Sequence, residues 1–460
     1  MTPDHRDFWF LPLGGCGEIG MNLNLYGHDG QWLMVDCGVT FAHMDAKHEP
    51  HVQMADPAFI SERRDALVGI VITHAHEDHI GAVPYLWKRL RAPIFTTAFT
   101  AAVLKRKLNE FGLEGQVPVH IVATGDRLDI GVFNVEWLPI THSIPEPQAM
   151  MIRTPVGSVF HSGDWKLDPG PVLGQPYQPA IFQALADERP NAMVCDSTNA
   201  MVAGHSTSEA DLHDGLNRAI GEAEGRVVVS CFASNLARLH SLFRIAAEQQ
   251  RDVAILGRSL RNMVAAARST GYWPRSLKLI DTFDLGYFPK QNFLVIATGS
   301  QGEPRSALYR LAHDTHPDLI LEAGDRVIFS SRVIPGNEPQ IEALYRQFRH
   351  RNIEVITADD SALPIHASGH PAQDELKQMY QWVQPQLAIP VHGEAAHMAA
   401  NAAIAKSNGV PRQLTGQNGD LFFIAPVPGV RRKAAPVGRL GWDRDALIPV
   451  KIEEIVASKV

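Results

Sequence analysis

The amino-acid sequence predicts an α/β fold, in which strands and helices alternate along the chain. Apolar, β-branched runs such as VGIVITH, RVVVSCF and NFLVIATGS are each followed by a Gly- or Ser-rich turn and then by an amphipathic stretch. A composition of 45% hydrophobic and 20% charged residues over 460 residues is sufficient for two or three domains with sizeable cores. These observations predict helices layered on sheets.

Three regions of the chain differ in pattern. Strand signals are dense up to about residue 203, and LNLYGHDGQWLMVD predicts a hairpin that turns at His28, Asp29 and Gly30. The middle region follows a strand, loop, helix pattern typical of a parallel sheet, and ligand-type histidines stand on both sides of it. We therefore interpret it as an insertion, and the tail from Pro426 as irregular. The predicted units are residues 1–205 and 363–430 for the interrupted domain, 206–362 for the insertion and 431–460 for a short C-terminal tail.

Composition and charge exclude several classes of protein. The N-terminus lacks the apolar core of a signal peptide, and no apolar run is long enough to span a membrane. The four cysteines lie far apart without a C-x-x-C pair, which argues against a disulfide framework or a zinc finger. A net charge of −8 argues against general coating by nucleic acid, although a local groove can still be positive. A cytoplasmic enzyme fits these observations best.

A glycine motif near the N-terminus imitates a dinucleotide-binding fingerprint. Residues 15–20, GCGEIG, match G-x-G-x-x-G, but a helix must open at such glycines, and the following MNLNLY alternates like a strand. We therefore reject nucleotide-cofactor binding. The glycines are predicted to form a tight loop beside another site.

The stretch VITHAHEDHIGAVP places three histidines and two acids within six positions. An accidental H-x-H-x-D-H is expected only about 0.002 times in a chain of this composition, so accident is a poor explanation. The motif is predicted to lie on the loop between a buried strand and a helix that starts near His79. Four ligands are too many for one ion with an open position. His74 and His76 are therefore assigned to one ion and Asp78 and His79 to a second.

Long motifs in a fixed order resemble the metallo-β-lactamase superfamily, and more narrowly its β-CASP nucleases of the ribonuclease J type. They are GGCGEIGMN, VDCG, THAHEDHIGAVPYL, THSIPEP, FHSGDWKLD, CDSTNA, SCFASNLAR, ATGSQGEPRSAL, SSRVIPGNE, HASGHPAQDELK and IPVHGE. The resemblance implies a metallo-β-lactamase αββα sandwich with an inserted α/β (β-CASP) domain. It also implies that the family's C-terminal domain is missing or reduced here, which would weaken a homodimer.

The resemblance further implies a set of metal ligands. Those of one ion are His74, His76 and His142, those of the other are Asp78, His79 and His392, and Asp164 bridges the two. Asp36 would orient a ligand from outside the coordination shell. The expected cofactor is two Zn²⁺, with Mn²⁺ or Mg²⁺ as alternatives for turnover.

CDSTNA and HASGH place two more residues near this centre by the same resemblance. His370 is predicted to donate a proton to the leaving oxygen, oriented by Asp196, because its ordinary pKa lies near working pH. With Asp78, which acts through its metal, these are the predicted catalytic residues. Asp196 could equally be a strand-end residue that caps the following loop.

The resemblance adds a pocket for a terminal phosphate between the two domains. The predicted contacts are His366, Ala367, Ser368, Gly369 and His370 from HASGH, with Ser234, Asn235 and Arg238 from FASNLAR. Ser or Asn before a helical run is alternatively a helix N-cap, and both roles can coexist. Arg258, Arg261, Arg305 and Arg332 are candidates to contact RNA phosphates, although each is more often a surface charge. His120, His161 and His205, and the loop residues His43, His48 and His51, are predicted not to bind metal.

The resulting interpretation is a two-metal ribonuclease of RNA processing, including rRNA processing, or decay. It would act on single-stranded RNA, preferably with a 5′ monophosphate, as a 5′-to-3′ exonuclease and also as an endonuclease. Three alternatives stay open at this point. They are a hydrolase of a small ester or thioester, a DNA-directed β-CASP nuclease and a non-catalytic RNA-binding protein with the same fold.

Overall fold

The computed structural model describes residues 1–42, 49–334 and 336–450, which form the elements that follow. The strands are β1 (Phe8–Gly14), β2 (Leu23–His28), β3 (Gln31–Val35), β4 (Val39–Phe41), β5 (Val52–Ala55), β6 (Leu67–Val71), β7 (Ile94–Thr96), β8 (Val119–Ile121), β9 (Arg127–Ile130), β10 (Phe133–Pro139), β11 (Gln148–Thr154), β12 (Gly157–His161), β13 (Ala192–Asp196), β14 (Val227–Ser230), β15 (Asp252–Leu256), β16 (Phe293–Ala297), β17 (Arg326–Phe329), β18 (Glu354–Ile356), β19 (Leu387–Val391), β20 (Arg412–Gln413), β21 (Leu421–Ala425), β22 (Gly429–Arg431), β23 (Arg439–Asp443) and β24 (Ala446–Val450). The α-helices are α1 (Ala58–Ser61), α2 (Glu77–Ile80), α3 (Val83–Leu90), α4 (Ala98–Glu110), α5 (Pro179–Glu188), α6 (His213–Gly221), α7 (Leu236–Glu248), α8 (Arg258–Ser269), α9 (Ala307–Ala312), α10 (Glu338–His350), α11 (Gln373–Val383) and α12 (Ala395–Ser407). Short 3-10 helices lie at Arg64–Ala66, Ala210–Leu212, Thr282–Tyr287 and Lys290–Asn292. None of the helices in these ranges is both long and apolar enough to cross a membrane.

Two large sheets pack face to face in the first domain. Their strand orders are β22-β21-β1-β2-β3-β6-β7-β8 and β20-β19-β13-β12-β11-β10-β9. Apolar side chains from both sheets meet between them, including Phe10 and Val35 from the first and Trp137 and Val194 from the second. Helices α3 and α4 cover the outer face of the first sheet, and α5, α11 and α12 cover that of the second. The predicted αββα sandwich is therefore confirmed.

The inserted domain is built on a parallel sheet of order β15-β16-β14-β17-β18. Alternate residues of its strands point to opposite faces, so Val227 and Val229 pack towards α6, α7 and α8 while Val228 packs towards α9 and α10. Strand β13, before the insertion, pairs directly with β19, after it. The middle region therefore interrupts the first domain, as predicted.

The segment after Pro426 is not irregular, and that prediction was wrong. Strand β22 extends the first sheet by pairing with β21. Strands β23 and β24 form a hairpin, and β23 pairs with β5 near the N-terminus. Local pattern could not show this, because the strands are short and their partner is remote in sequence.

The glycine loop and the hairpin near the N-terminus agree with the sequence. Strands β2 and β3 form the predicted hairpin, and no helix opens at the glycine motif because β2 follows it. Gly15, Gly17 and Gly20 have φ angles of 82°, 87° and 96°, a region that L side chains rarely adopt. The carbonyl of Gly15 accepts a hydrogen bond from the backbone N–H of His392 at 2.6 Å. The loop thus lies beside the predicted metal ligands.

Candidate metal centre

Predicted ligands and the predicted supporting residues Asp36 and Asp196 lie at one edge of the first domain, where parallel strands end. Asp36 directly follows β3, Asp164 comes shortly after β12, and Asp196 is the last residue of β13. His392 directly follows β19. Because β3 and β6 run parallel, as do β12, β13 and β19, their carboxyl ends bring these side chains together.

The H-x-H-x-D-H motif divides between a loop and a helical turn. His74 and His76 lie on the loop after β6, whereas Asp78 and His79 lie within α2. The sequence prediction placed the whole motif on a loop. It was wrong for Asp78, which lies within α2. The helix begins earlier, at Glu77, where acidic residues interact favourably with the helix N-terminus.

The first group of candidate ligands combines three imidazoles with one carboxylate. His76 Nδ1 lies 3.0 Å from His74 Nε2 and 3.0 Å from His142 Nε2. Both of those Nε2 atoms lie 3.9 Å from Oδ2 of Asp164. One ligand atom from each of these four residues falls within 4.8 Å of the others, as a shared ion would require.

The second group of candidate ligands shares Asp164 with the first. His79 Nε2 lies 3.1 Å from Asp164 Oδ2 and 3.5 Å from Asp78 Oδ2. His392 Nε2 lies 3.1 Å from Asp78 Oδ2, and its Nδ1 lies 3.2 Å from Asp164 Oδ1. The structure therefore brings all seven predicted ligands together, with Asp164 at the centre of both groups.

Asp36 fixes the orientation of the imidazoles from outside the cluster. Its Oδ2 lies 2.7 Å from His79 Nδ1 and accepts the proton of that nitrogen, which turns Nε2 towards the cluster. The Thr73 hydroxyl donates to Asp36 at 2.9 Å and lies 2.9 Å from His74 Nδ1. Because the hydroxyl hydrogen is used by Asp36, the oxygen accepts from His74. One buried carboxylate thus orients two candidate ligands.

The HASGH sequence orients a third candidate ligand. The carbonyl oxygen of Gly369 lies 2.5 Å from His142 Nδ1 and accepts its proton, which leaves Nε2 facing the cluster. A Cβ at position 369 would stand 2.6 Å from the His142 ring, so only glycine fits here. Gly369, predicted as a phosphate contact, is therefore also a support for the metal centre.

The histidines of the cluster fall into two kinds, which differ in the direction of their pKa shifts. Burial lowers the pKa of His74 and His142 well below the ordinary value and that of His76 to about 4, so these rings are neutral, as metal binding requires. Burial acts in the same direction on His79 and His392, but neighbouring carboxylates, Asp164 foremost, outweigh it and raise their pKa values.

The arrangement fits a pair of borderline divalent ions. Neutral imidazoles and carboxylates are the ligands that zinc prefers, and two ions sharing one carboxylate form a catalytic two-metal site. The lone pairs of His74 Nε2 and His142 Nε2 both face His76 Nδ1, and one proton there cannot satisfy both of them fully. Within the described ranges, the ion-pair partners of Asp78 and Asp164 are all histidines, so no lysine or arginine there neutralises them.

Asp196 and His370 form a hydrogen-bonded pair beside the second group. His370 Nδ1 lies 2.7 Å from Asp196 Oδ2, and the His370 side chain is 21% exposed. Burial would lower the pKa of His370, but Asp196 and then Asp164 raise it above the ordinary value. Oδ1 of Asp196 accepts from the backbone and the hydroxyl of Thr198. Asp196 therefore caps its loop and orients His370 at once.

A polar cluster joins the metal centre to the inserted domain. Asn199 donates to Ser368 Oγ at 2.8 Å and to the His370 carbonyl at 3.2 Å. Its own side-chain oxygen accepts from Arg332 Nη1 at 3.0 Å, and Arg332 is exposed. Nδ1 of His366 is buried without a hydrogen-bond partner in the part of the chain that the structure describes. We call Asn199, Arg332, His366 and Ser368 the junction cluster.

Two predicted phosphate contacts have other roles. Arg238 is 0% exposed and pairs with Glu209 at 2.6 Å, so the prediction that it contacts a terminal phosphate directly is corrected. Asn235 caps α7, because its side chain accepts from the Arg238 backbone N–H at 2.9 Å. Ser234 stays half-buried at the start of this turn, and Ala367 is buried.

Histidines that were predicted not to bind metal lie outside the two groups of ligands. His161 is buried and hydrogen-bonded to the Tyr26 hydroxyl at 2.8 Å. His120 stacks on Phe95 with ring centroids 4.8 Å apart, and His205 is exposed. In the N-terminal loop, His51 is exposed, while His43 and His48 lie outside the described residues.

The four arginines proposed to contact RNA are all exposed on the inserted domain. They follow or lie near the carboxyl ends of its strands, as the sequence pattern predicted: Arg258, Arg261, Arg305 and Arg332. Of these, Arg332 has a contact that ties it to the first domain. The assignment of all four to RNA binding stays a prediction.

Besides Thr73, described above, sequence reasoning missed two further polar residues that contact candidate ligands. The Asn22 amide lies 3.1 Å from His79 Nε2 and donates to the Asp78 carbonyl at 3.1 Å. The Thr198 hydroxyl lies 3.1 Å from His392 Nδ1. Both stand inside motifs that carry the resemblance, GGCGEIGMN and CDSTNA, which was the available signal.

Comparisons with known families agree with this architecture. Residues 20–187 match the metallo-beta-lactamase superfamily, residues 224–348 match "Ribonuclease J, beta-CASP domain", and residues 364–411 match "Zn-dependent metallo-hydrolase RNA specificity domain". A solved structure, a protein of unknown function from Enterococcus faecalis V583, shares the fold with a TM-score of 0.63 at 15% identity, covering 91% of this chain and 100% of that chain. Fold and site thus define a metallo-β-lactamase-type hydrolase with a β-CASP insertion.

Relatives at higher identity narrow the family. Ribonuclease J of Sinorhizobium meliloti is 44% identical and covers 94% of this chain and 77% of its own length. Ribonuclease J of Mycolicibacterium smegmatis is 39% identical, covering 87% and 71%, and that of Helicobacter pylori is 34% identical, covering 90% and 60%. The chain belongs to the ribonuclease J family, as its motifs indicated, and is a metal-binding hydrolase. It spans between 60% and 77% of the lengths of these three relatives.

Proposed function

We propose that this chain is a ribonuclease that removes nucleotides stepwise from the 5′ end of single-stranded RNA carrying a 5′ monophosphate. The observation that carries the proposal is the convergence of the seven side chains on two groups that share Asp164, in a chain of the ribonuclease J family. RNA processing or decay would be its cellular role. The inserted domain, linked to the centre through Asn199, supports a polymeric substrate over a small ester.

Two ions would be held by the residues described above. One would take His74, His76 and His142, the other Asp78, His79 and His392, with Asp164 between them. When bound, such ions neutralise the charge of a phosphoryl group and lower the pKa of water, which is the chemistry that phosphodiester hydrolysis requires. The chain itself supplies the fixed geometry, through Asp36, Thr73 and the Gly369 carbonyl.

His370 is the proposed proton donor to the leaving oxygen. Its Nδ1 is held by Asp196, so Nε2 is the nitrogen left to transfer a proton. The side chain is partly exposed, whereas the neighbouring His142 is nearly inaccessible. His370 can therefore meet a substrate that enters the cleft.

The junction cluster is the proposed site for the 5′ phosphate. The exposed Arg332 guanidinium and the Ser368 hydroxyl are suitable phosphate partners, and Asn199 holds them side by side. Nδ1 of His366 has no partner among the described residues and can donate a hydrogen bond to an anion when it carries the ring proton. Ser368 is one residue from Gly369, which contacts His142, so a phosphate held here lies close to the centre. That proximity favours cleavage near the 5′ end.

The test is digestion of one single-stranded RNA, labelled within its first nucleotides, in its 5′-monophosphate, triphosphate and hydroxyl forms. Zn²⁺, Mn²⁺ or Mg²⁺ would be added in turn, and single-stranded DNA of the same sequence would be the substrate control. We expect release of mononucleotides, fastest from the monophosphate form.

Other products would redirect or refute the proposal. Internal fragments from all three RNA forms at equal rates would contradict exonucleolytic action and the phosphate site. Faster digestion of DNA would identify a DNA nuclease. Turnover of a small ester with RNA left intact under every metal would exclude ribonuclease activity.

A further inference from the structure

Arg238 is fully buried, and every nitrogen of its guanidinium has a partner. Nε and Nη2 donate to the carboxylate of Glu209 at 2.6 and 3.1 Å. Nη1 donates to the carbonyl of Ser330 at 2.9 Å, to the Ser330 hydroxyl, and to the carbonyl of Ile365 at 3.4 Å. We call these four residues the Arg238 brace.

The members of the brace come from separate segments that meet where the two domains join. Arg238 lies in α7 of the inserted domain, and Ser330 directly follows β17 of the same domain. Glu209 lies where the chain first passes into that domain. Ile365 lies where the chain returns, immediately before the HASGH sequence. The Arg238 side chain therefore links both segments that connect the two domains to the inserted sheet.

Ser330 connects the brace to the junction cluster. Its hydroxyl donates to the Ile365 carbonyl at 2.6 Å, and Ile365 directly precedes His366 in the chain. Two residues further along the chain, Arg332 reaches Asn199. The Arg238 brace thus lies next to His366 and Arg332 of the junction cluster, and its own four residues are buried.

The burial of a charged pair makes this arrangement rigid. A guanidinium removed from water is tolerated only while its charge and its N–H groups are all paired. Any shift of the Ile365 or Ser330 backbone would leave Arg238 or its partners unpaired. The segment from His366 to Ser368 is therefore held at a fixed position relative to Arg332.

We propose that the Arg238 brace positions His366 and Ser368 against Arg332 and so sets the preference for a 5′-monophosphate end. The inference rests on the phosphate site proposed above. Arg238 is a positioning residue, because it acts through Ile365 and Ser330 and does not touch the substrate. Displacement of a binding group by even about 1 Å is enough to weaken such a site strongly.

A purely structural role for the brace predicts lower stability with unchanged preference, and two matched controls separate the two cases. Arg326 is also buried and bonded to a carboxylate, Glu354, and to a carbonyl, but at the opposite end of β17. Ser230 is a buried serine whose hydroxyl donates to the Ala297 carbonyl at 3.3 Å within the sheet. Neither control side chain is hydrogen-bonded to Ile365 or His366 in the described residues. The Ser230 carbonyl accepts from the Ser330 backbone N–H at 2.8 Å, and Ser230→Ala keeps that bond.

The experiment measures kcat/KM for the 5′-monophosphate and 5′-hydroxyl forms of one single-stranded RNA. The variants are Arg238→Lys and Ser330→Ala, with Arg326→Lys and Ser230→Ala as controls, and thermal unfolding is recorded for each. We expect the monophosphate-to-hydroxyl ratio to fall about three- to tenfold in the two brace variants. The loss should lie in KM for the monophosphate RNA. Both controls should keep the wild-type ratio at a comparable loss of Tm.

Three results would overturn the inference, and they are distinguishable. If the wild-type protein prefers the monophosphate end and Ser330→Ala keeps that preference, the brace does not position the site. The same holds if the controls lose the preference as much as the brace variants. If the wild type shows no preference, the phosphate site itself fails and the inference fails with it. Ser330→Ala, which leaves the buried charges paired, decides the matter if Arg238→Lys does not fold.

Discussion

The metal centre and the junction cluster are neighbours, but they are built differently. The candidate ligands come from strand ends of one domain, and the side chains of His74, His142 and Asp164 are 0%, 1% and 3% exposed. The junction cluster draws on both domains, and its Arg332 is exposed. The difference separates two properties of the protein. Changes at the centre should affect hydrolysis of every RNA, whereas changes at the junction should affect which 5′ end is chosen.

The largest expected effect is at the centre. Replacing Asp78 and His79 together by Ala removes two ligands of the second group, and we expect no detectable hydrolysis of any RNA with the fold retained. The measurements are RNA cleavage, bound metal and circular dichroism. Glu77→Gln is the matched control, because Glu77 stands inside the same motif but pairs with Lys107 at 2.6 Å. Full activity in the double variant would refute the ligand assignment.

Next in size is the loss of the proton donor. His370→Ala should reduce kcat about 100- to 10,000-fold on monophosphate and hydroxyl RNA alike, because the leaving oxygen then lacks its acid. Bound metal should stay at the wild-type level. The informative comparison uses an RNA analogue whose leaving group needs no proton, on which the variant should regain most of its rate. An unchanged kcat on ordinary RNA would assign His370 another role.

Removal of support outside the coordination shell should have a moderate effect. Asp36→Asn weakens the acceptor that holds His79 and, through Thr73, His74. We expect metal affinity to fall about 10- to 100-fold, measured by competition with a chelator. Asp325→Asn is the control, since Asp325 is a buried aspartate that pairs with Arg226 in the inserted domain. Equal metal affinity in the two variants would contradict the role of Asp36.

The smallest expected effect tests the junction. Arg332→Ala removes the exposed guanidinium beside Ser368, and the preference for monophosphate over hydroxyl RNA should fall about tenfold, as expected for a charged hydrogen bond. The rate on hydroxyl RNA should hold. Arg305→Ala, which removes another exposed arginine of the same domain, should leave the preference unchanged. A loss of rate on both RNA forms would show that Arg332 affects hydrolysis itself. It would contradict the separation of the junction cluster from the metal centre.

Much of the metal centre could be predicted because its candidate ligands stand in short, specific sequence motifs. H-x-H-x-D-H concentrates four candidate ligands within six residues, and the family resemblance added His142, Asp164 and His392 from remote positions. Asn22 and Thr198 were missed although they stand in the same motifs. An amide or hydroxyl in a motif does not show whether it supports a ligand until its neighbours are known.

The junction and the tail were harder to predict, for a physical reason. Arg238 is an arginine at a helix start, which predicts an anion contact, yet burial against Glu209 decides its role. Strand β23 pairs with β5 across almost the whole chain, so its local sequence carries little signal. Both errors concern contacts between segments remote in sequence. The architecture of each domain, by contrast, follows from the periodicity of its strands and helices.

The most direct test of the two-metal assignment is the number of divalent ions bound per chain, measured by elemental mass spectrometry after reconstitution with zinc and exhaustive dialysis. We expect two ions in the wild type and about one or fewer in Asp164→Ala, because both groups depend on that carboxylate. A wild-type protein that hydrolyses RNA at its full rate with no divalent ion bound would contradict the two-metal assignment.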